Sequence, residues 1–184
     1  EEFRMTETTN IIKGGAFLIE ETELARVLTP EDFTDEQKMI AKTTEEYVSN
    51  EVMPLVEKLE NHEFEHSVQL LKKAGELGLL AADVPEKYEG LGLDKVSSAL
   101  ITEKMAVVGG FSITHGAHVG IGSLPIVLFG NDAQKSKYLP KLASGELIAA
   151  YALTEPGSGS DALGAKTTAK LSEDGTHYIL NGEK

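Results

Sequence analysis

The stretch ALTEPGSGSDALG, from Ala152 to Gly164, gathers the side chains of this 184-residue chain best suited to holding a polar ligand. Thr154 ends an apolar run, and Ser158 and Ser160 follow with further hydroxyl donors. Glu155-Pro156-Gly157-Ser158 predicts a type II turn, in which proline fixes φ at the second position and glycine takes a positive φ at the third. Gly159 lets a ligand approach the main chain closely, and successive N–H groups in such a turn form a concavity for an anion. These residues suit three readings: a polar hairpin loop without a ligand, a dinucleotide-binding loop, or the loop of some other cofactor. The second matches G-x-G-x-x-A through Gly157, Gly159 and Ala162. That fingerprint requires a helix directly after the glycines, so that the helix N-terminus meets the pyrophosphate. Here DALGAKTTAKL is broken by Gly164, carries threonines and reads as strand, which argues against a nicotinamide Rossmann enzyme.

Other reactive side chains are less well placed. His115 and His118 share a helix face, but no nearby Asp, Glu or Cys completes a metal set, so both are expected to be structural. His62 and His66 flank Glu63 and Glu65 in a polar segment that reads as a solvated face. Glu45, Glu46, Glu57 and Glu60 read as exposed helix charges, and Lys137 and Lys141 as surface lysines. No Ser-His-Asp arrangement or nucleophile elbow is present. No metal site is therefore expected in this chain. Lys and Arg total 17 against 30 Asp and Glu, a net charge of −13. Nucleic-acid binding is disfavoured, because phosphate contacts need a local excess of cations. There is no cysteine, which rules out disulfides and thiolate chemistry and suits a reducing, cytoplasmic setting.

The elements that must position the loop can be read from periodicity. Thr34 is an N-cap, and Gln37 three residues later completes a capping box. Phe33, Met39, Ile40, Thr43, Tyr47, Val48, Val52 and Leu55 then recur at about the 3.6-residue helical period, and Pro54 should interrupt the helix. A second helix carries Val68, Leu70, Leu71, Ala74 and Leu77 on one face and stops at Gly78. Asp94 caps a third. From Val107 to Gly130 there is no charged Asp, Glu, Lys or Arg. The glycines, Pro125 and the polar residues there predict a helix buried in a bundle rather than a transmembrane segment. Asn131 or Asp132 caps a further helix that Gly145 ends. ELIAAYALT then predicts a buried strand, and Asp174-Gly175 the turn of a hairpin. Near the start, LIEETELARVL suggests a short helix. Met5 looks like a native initiator, so Glu1–Arg4 are expected to be foreign to the native chain. Asn181-Gly182 is a turn without a returning strand, so the chain is expected to be a fragment cut inside a β-rich domain.

Three segments together resemble the acyl-CoA dehydrogenases. YALTEPGSGSDALGAKTTA resembles that family's flavin-binding signature, Y-x-x-T-E-P-x-x-G-S-D. LGLLAADVPEKYEGLGLD resembles its loop after the second helix, and FGNDAQKSKYLPKLASGE its helix before the first strand. The resemblance implies an α+β fold: an N-terminal all-helical bundle domain at 31–146, after an extension at 1–30, then a truncated portion of the middle β-domain at 147–184. It implies that Tyr151, Leu153 and Thr154 line FAD, that Gly159 and Ser160 reach cofactor or acyl-CoA, and that Ser160 contacts substrate. The implied reaction is α,β-dehydrogenation of a fatty acyl-CoA to the trans-2-enoyl-CoA in fatty acid β-oxidation. The catalytic glutamate would lie beyond residue 184, so this chain alone is expected to be inactive. Electron-transfer flavoprotein is the implied electron acceptor and a homo-oligomer the implied assembly. THGAHVGIG and KGGAF look most like the very-long-chain branch. Gly116, Gly120 and Gly122 would leave room for a long acyl tail, or would merely permit close helix packing. The reading from a different class is a non-catalytic acyl- or partner-binding module that keeps the fold without flavin.

Overall fold

A computed structural model describes residues 14–23 and 26–184. Glu1–Arg4, expected to be foreign to the native chain, Met5 and Lys13 of KGGAF lie outside the described residues. Helix α1 spans Asp35–Tyr47, with the Thr34 hydroxyl accepting from the Gln37 amide and the capping box complete. A π-helical segment, Val48–Val52, and a 3₁₀ turn, Met53–Leu55, then lead into α2, Val56–Glu60. Pro54 explains the break: it has no N–H to donate, and its ring crowds the carbonyl four residues back. Helix α3 is Phe64–Glu76, after which Gly78 takes φ +76°. Asp94 caps α4, Lys95–Met105, accepting from the Ser97 amide at 2.7 Å. The other Asp94 oxygen accepts from the Gln37 side chain at 2.8 Å, so the start of α1 is tied to the start of α4, its main packing partner.

The uncharged stretch forms α5 (Gly109–Gly116), a π-helical segment (Ala117–Ser123) and α6 (Leu124–Phe129). This π segment also ends just before a proline, Pro125, and the Ser123 hydroxyl bonds the His118 carbonyl at 2.7 Å. Helix α7 spans Asp132–Ala143, capped by Asn131, with Gly145 at φ +74° after it. The hydrophobic core has two parts. The larger joins Tyr47, Val52, Leu71, Leu79, Ile101, Met105 and Phe111; the smaller joins Ala81, Val84, Tyr88, Leu139, Leu142 and Ala143. Strands β1 (Thr168–Leu171) and β2 (Tyr178–Asn181) form an antiparallel hairpin in which Thr168 faces Asn181. The α+β class and the helical-then-β order agree with the sequence reading.

Several expectations need correction. The residues of ELIAAYALT run from Glu146 to Thr154 without forming a strand. A strand exists only through its ladder, and no second strand lies beside this one among the described residues. LIEETELARVL is not a helix over its described part. Its described residues hold the end of a 3₁₀ turn, Ala16–Leu18, and a 3₁₀ residue at Arg26, with irregular backbone between, while Leu24 and Ala25 lie outside the described residues. Met39, Val68 and Leu77 face solvent rather than the core. The largest difference concerns the line from Gly109 to Phe129. By length and composition it could cross a membrane, and only 22% of its most apolar window is buried. Ile113, Ile121, Leu128 and Phe129 are exposed, because nothing among the described residues covers that face. On the inner face, His115, His118 and Ser123 are buried and bonded to main chain across the bundle or within the line itself. Such polar anchoring belongs to a protein core.

Gly90 shows how tightly the loop after α3 is built. A Cβ there would fall on the Val84 carbonyl and lie 2.5 Å from the Val84 Cβ. Gly90→Ala is therefore expected to destabilise the domain by about 1–3 kcal/mol through overpacking. Gly110→Ala, with open space around it, should be neutral or stabilising by up to about 1 kcal/mol. Urea denaturation of the two variants tests this; equal effects would remove the packing explanation.

Candidate functional site

The site is built on the segment that leaves α7 and enters the hairpin. At its start stands His118, fully buried in the π-helical segment. Its Nδ1 accepts from the Ala149 amide at 3.0 Å, and its Nε2 lies 3.0 Å from the Leu142 carbonyl. Since an amide only donates and a carbonyl only accepts, the ring is neutral with its proton on Nε2. His115 is also buried, with Nε2 donating to the Leu79 carbonyl at 3.1 Å. Burial holds both rings below the ordinary histidine pKa, outweighing the carbonyl bonds that favour protonation. Both residues are structural, as the sequence predicts. Gly122 lies against the same segment: a Cβ there would be 2.5 Å from the Ala149 Cβ. Gly116 and Gly120 have open space instead. The close-packing reading therefore holds for Gly122 alone.

At its far end the segment turns. Glu155 and Ser158 exchange two main-chain hydrogen bonds, 2.9 and 3.1 Å. Gly157 is not among the glycines with positive φ, so this is not the predicted type II turn. Proline at the second position suits type I as well as type II, and nothing in the loop forces the flip. Ser158 is buried and its hydroxyl donates inward to the Asp161 carbonyl, so it does not face a ligand. No helix follows the glycines. A single 3₁₀ turn, Ala162–Gly164, leads to β1, and the dinucleotide fingerprint lacks its essential element.

Glu155 is the residue the sequence reading overlooked. Its side chain is buried, and its carboxylate accepts from the Lys166 amide at 2.6 Å and the Thr167 amide at 3.1 Å. The Lys184 ammonium lies 2.9 Å from it. The neighbouring Thr167 side chain, the Lys166 amide and Lys184 together draw its pKa down to about 2. The Thr167 hydroxyl contributes to this field without reaching hydrogen-bond geometry; it is buried and has no partner. Lys184 also donates to the Leu153 carbonyl at 2.9 Å. The glutamate in T-E-P is the signal that could have pointed here, but its partners are 11 to 29 residues away in sequence.

The five predicted site residues are all exposed, on either side of the buried Glu155 and Ser158. Tyr151 is 54% exposed and Leu153 40% exposed, and Thr154, Gly159 and Ser160 are exposed too. Apart from the Leu153 carbonyl, the main chain of residues 150–154 has no hydrogen-bond partner among the described residues. The hydroxyls of Thr154 and Ser160 are likewise unengaged there. A Cβ at Gly159 would meet nothing within 4 Å. Unpaired donors and acceptors beside the faces of Tyr151 and Leu153 fit a flat heteroaromatic ring with a polar rim, such as a flavin. Lys141 pairs with Glu146, and Lys137 lies over the Tyr138 ring; neither reaches this edge through an observed bond. Glu63, Glu65 and His66 each bring a ligand atom within 4.8 Å of the others at the surface. Exposed acidic groups commonly gather this way without an ion.

The fold is thus a helical domain followed by an exposed segment and an antiparallel hairpin. The acyl-CoA dehydrogenase N-terminal domain model matches residues 34–146, and the chain belongs to that family. The "Probable acyl-CoA dehydrogenase" of Bacillus subtilis (strain 168) is 71% identical over 175 residues, 95% of this chain and 30% of that protein. The crystal structure of acyl-CoA dehydrogenase complexed with FAD from Bacillus anthracis is 72% identical with a TM-score of 0.88, covering 93% of this chain and 29% of that one. A chain in the structure of the electron transferring flavoprotein of Acidaminococcus fermentans is 37% identical, TM-score 0.76, covering 84% of this chain and 40% of that one. The chain therefore spans about 30% of the length of its curated relative.

Proposed function

We propose that this chain forms the helical domain and the first β segment of an FAD-dependent acyl-CoA dehydrogenase. The observation that carries this is the edge from Ala150 to Thr154, whose main-chain groups, the Leu153 carbonyl apart, lack partners among the described residues, together with the exposed Gly159-Ser160 corner. Tyr151, Leu153 and Thr154 would hold the flavin rim, and Gly159 and Ser160 would meet cofactor or thioester, with Ser160 on the substrate. Flavin, when bound, supplies the acceptor for the β-hydrogen of the acyl-CoA as hydride. This chain's own residues orient and exclude water; none of them is assigned as the base that takes the α-proton. The FAD complex of a 72% identical relative supports the reading.

The proposal extends to a long-chain fatty acyl-CoA, because Gly116 and Gly120 leave open space on the helix line whose apolar face is exposed. It also includes electron-transfer flavoprotein as acceptor, a homo-oligomer, a place in fatty acid β-oxidation and a cytoplasmic site. Domain limits of 31–146 and 147–184 complete it. The test is to purify the whole protein and measure its visible flavin band and its rates on palmitoyl-CoA and butyryl-CoA. Flavin with faster palmitoyl turnover is expected. A colourless protein would favour a binding module without flavin, and a strong butyryl preference would end the long-chain part. The 184-residue chain alone is expected to show no turnover.

A further inference from the structure

The segment with the unpaired edge is pinned at both ends. At its start, the Ala149 amide is held by His118 at 3.0 Å. At its end, Lys184 reaches from the chain just after β2 and holds two groups, the Leu153 carbonyl and the Glu155 carboxylate, each at 2.9 Å. Glu155 in turn collects the amides of Lys166 and Thr167, which lie immediately before β1. One buried carboxylate and one ammonium thus tie together the exit of the edge, the Pro156-Gly157 turn and both strands of the hairpin. Bonds to an ionised buried carboxylate are among the stronger hydrogen bonds. An uncharged acceptor at the same place could satisfy the amides only in part and would not hold the ammonium.

We propose that Glu155 and Lys184 form a latch that sets the register of the 150–154 edge and the Gly159-Ser160 corner, and so act as positioning residues for the flavin. The inference rests on the FAD reading above. The latch touches no ligand itself. It fixes the Leu153 carbonyl inward, which leaves the neighbouring main-chain groups and the Thr154 hydroxyl facing out.

The test uses the whole protein, stripped of flavin and titrated with FAD. Glu155→Gln and Lys184→Met should each weaken FAD binding by about tenfold or more. Both should change the visible circular dichroism of bound flavin and speed amide hydrogen exchange across residues 153–168, while exchange in α4 is unchanged. Lys184→Arg, which keeps the charge, should restore affinity to within about threefold of the parent. If Glu155→Gln does not fold, Lys184→Met, which leaves the carboxylate and both its amide bonds, decides the matter. FAD affinity within about twofold of the parent in Lys184→Met, with an unaltered dichroism band, overturns the latch. A parent protein that binds no FAD overturns the flavin reading as well, so the two failures are distinguishable.

Discussion

His118→Leu is expected to destabilise the domain by about 3 kcal/mol, because it strands two main-chain groups at once, one buried and one half-buried. The imidazole satisfies the Leu142 carbonyl and the Ala149 amide simultaneously, at 3.0 Å each. Leucine fills much of the space but bonds neither. Each stranded group loses about 1–3 kcal/mol, offset in part by the more apolar side chain. His118→Asn makes the comparison sharper. Its side-chain oxygen can sit near the Nδ1 position and accept from Ala149, but nothing then reaches Leu142. Its loss should be roughly half that of leucine, about 1–2 kcal/mol. The effect also reaches the site, since Ala149 is the anchor from which the 150–154 edge departs. Denaturant unfolding followed by far-UV circular dichroism measures both variants. A leucine variant within about 0.5 kcal/mol of the parent would mean that the two groups find other partners.

How legible this was in the sequence depended on distance along the chain. The caps at Thr34, Asp94 and Asn131 are local, within three residues, and could be read directly. So could the Asp174-Gly175 turn, with Gly175 at φ +69°, and the break at Pro54. The bond from Gln37 to Asp94 joins two caps that were each legible, yet their meeting spans 57 residues and was not. Glu155 failed for the same reason: a glutamate beside a proline looks like any loop acid until the hairpin folds back on it. The expected strand before Thr154 was misread for a different cause. Apolar alternation describes what a segment could pair as, whereas a ladder needs a second strand. The uncharged line from Gly109 to Phe129 showed that its apolar surface must be covered, but not by what. The donors Thr154 and Ser160 and the open Gly159 were legible from residue type, whereas Tyr151 and Leu153 entered only through the family resemblance; all five are exposed, with buried Glu155 and Ser158 between them. The inward turn of Ser158 was not visible, because hydroxyl direction is set by the local fold and not by composition.

Stability should fall in two steps as the pH is lowered, the first carried by the buried histidines. His115 and His118 have folded pKa values below the ordinary 6.5, because burial disfavours the charged ring. Below pH 6.5 the unfolded chain takes up protons that the folded domain refuses, so stability is fully present above that value and declines as pH drops toward the folded values. The slope cannot exceed about 1.4 kcal/mol per pH unit for each ring. For His118 there is a specific reason: protonation converts Nδ1 from acceptor to donor, opposing the Ala149 N–H. No Asp or Glu bonds either ring, and the charge of His118, when present, lowers His115 further. The second step belongs to carboxylates. Glu155 is held ionised down to about 2, against 4.5 when unperturbed, so its contribution is present above pH 4.5 and lost between there and about 2. Asp94 and Asp132 are lowered too, from an ordinary 3.8, so their contributions are present above that value and decline below it. Denaturation midpoints measured from pH 8 to pH 3 should therefore be flat above about 6.5 and fall below it. His118→Asn should shallow the first limb, and Glu155→Gln the second alone. A flat profile from pH 7 to 5, or a first limb unaffected by His118→Asn, would place the acid sensitivity elsewhere.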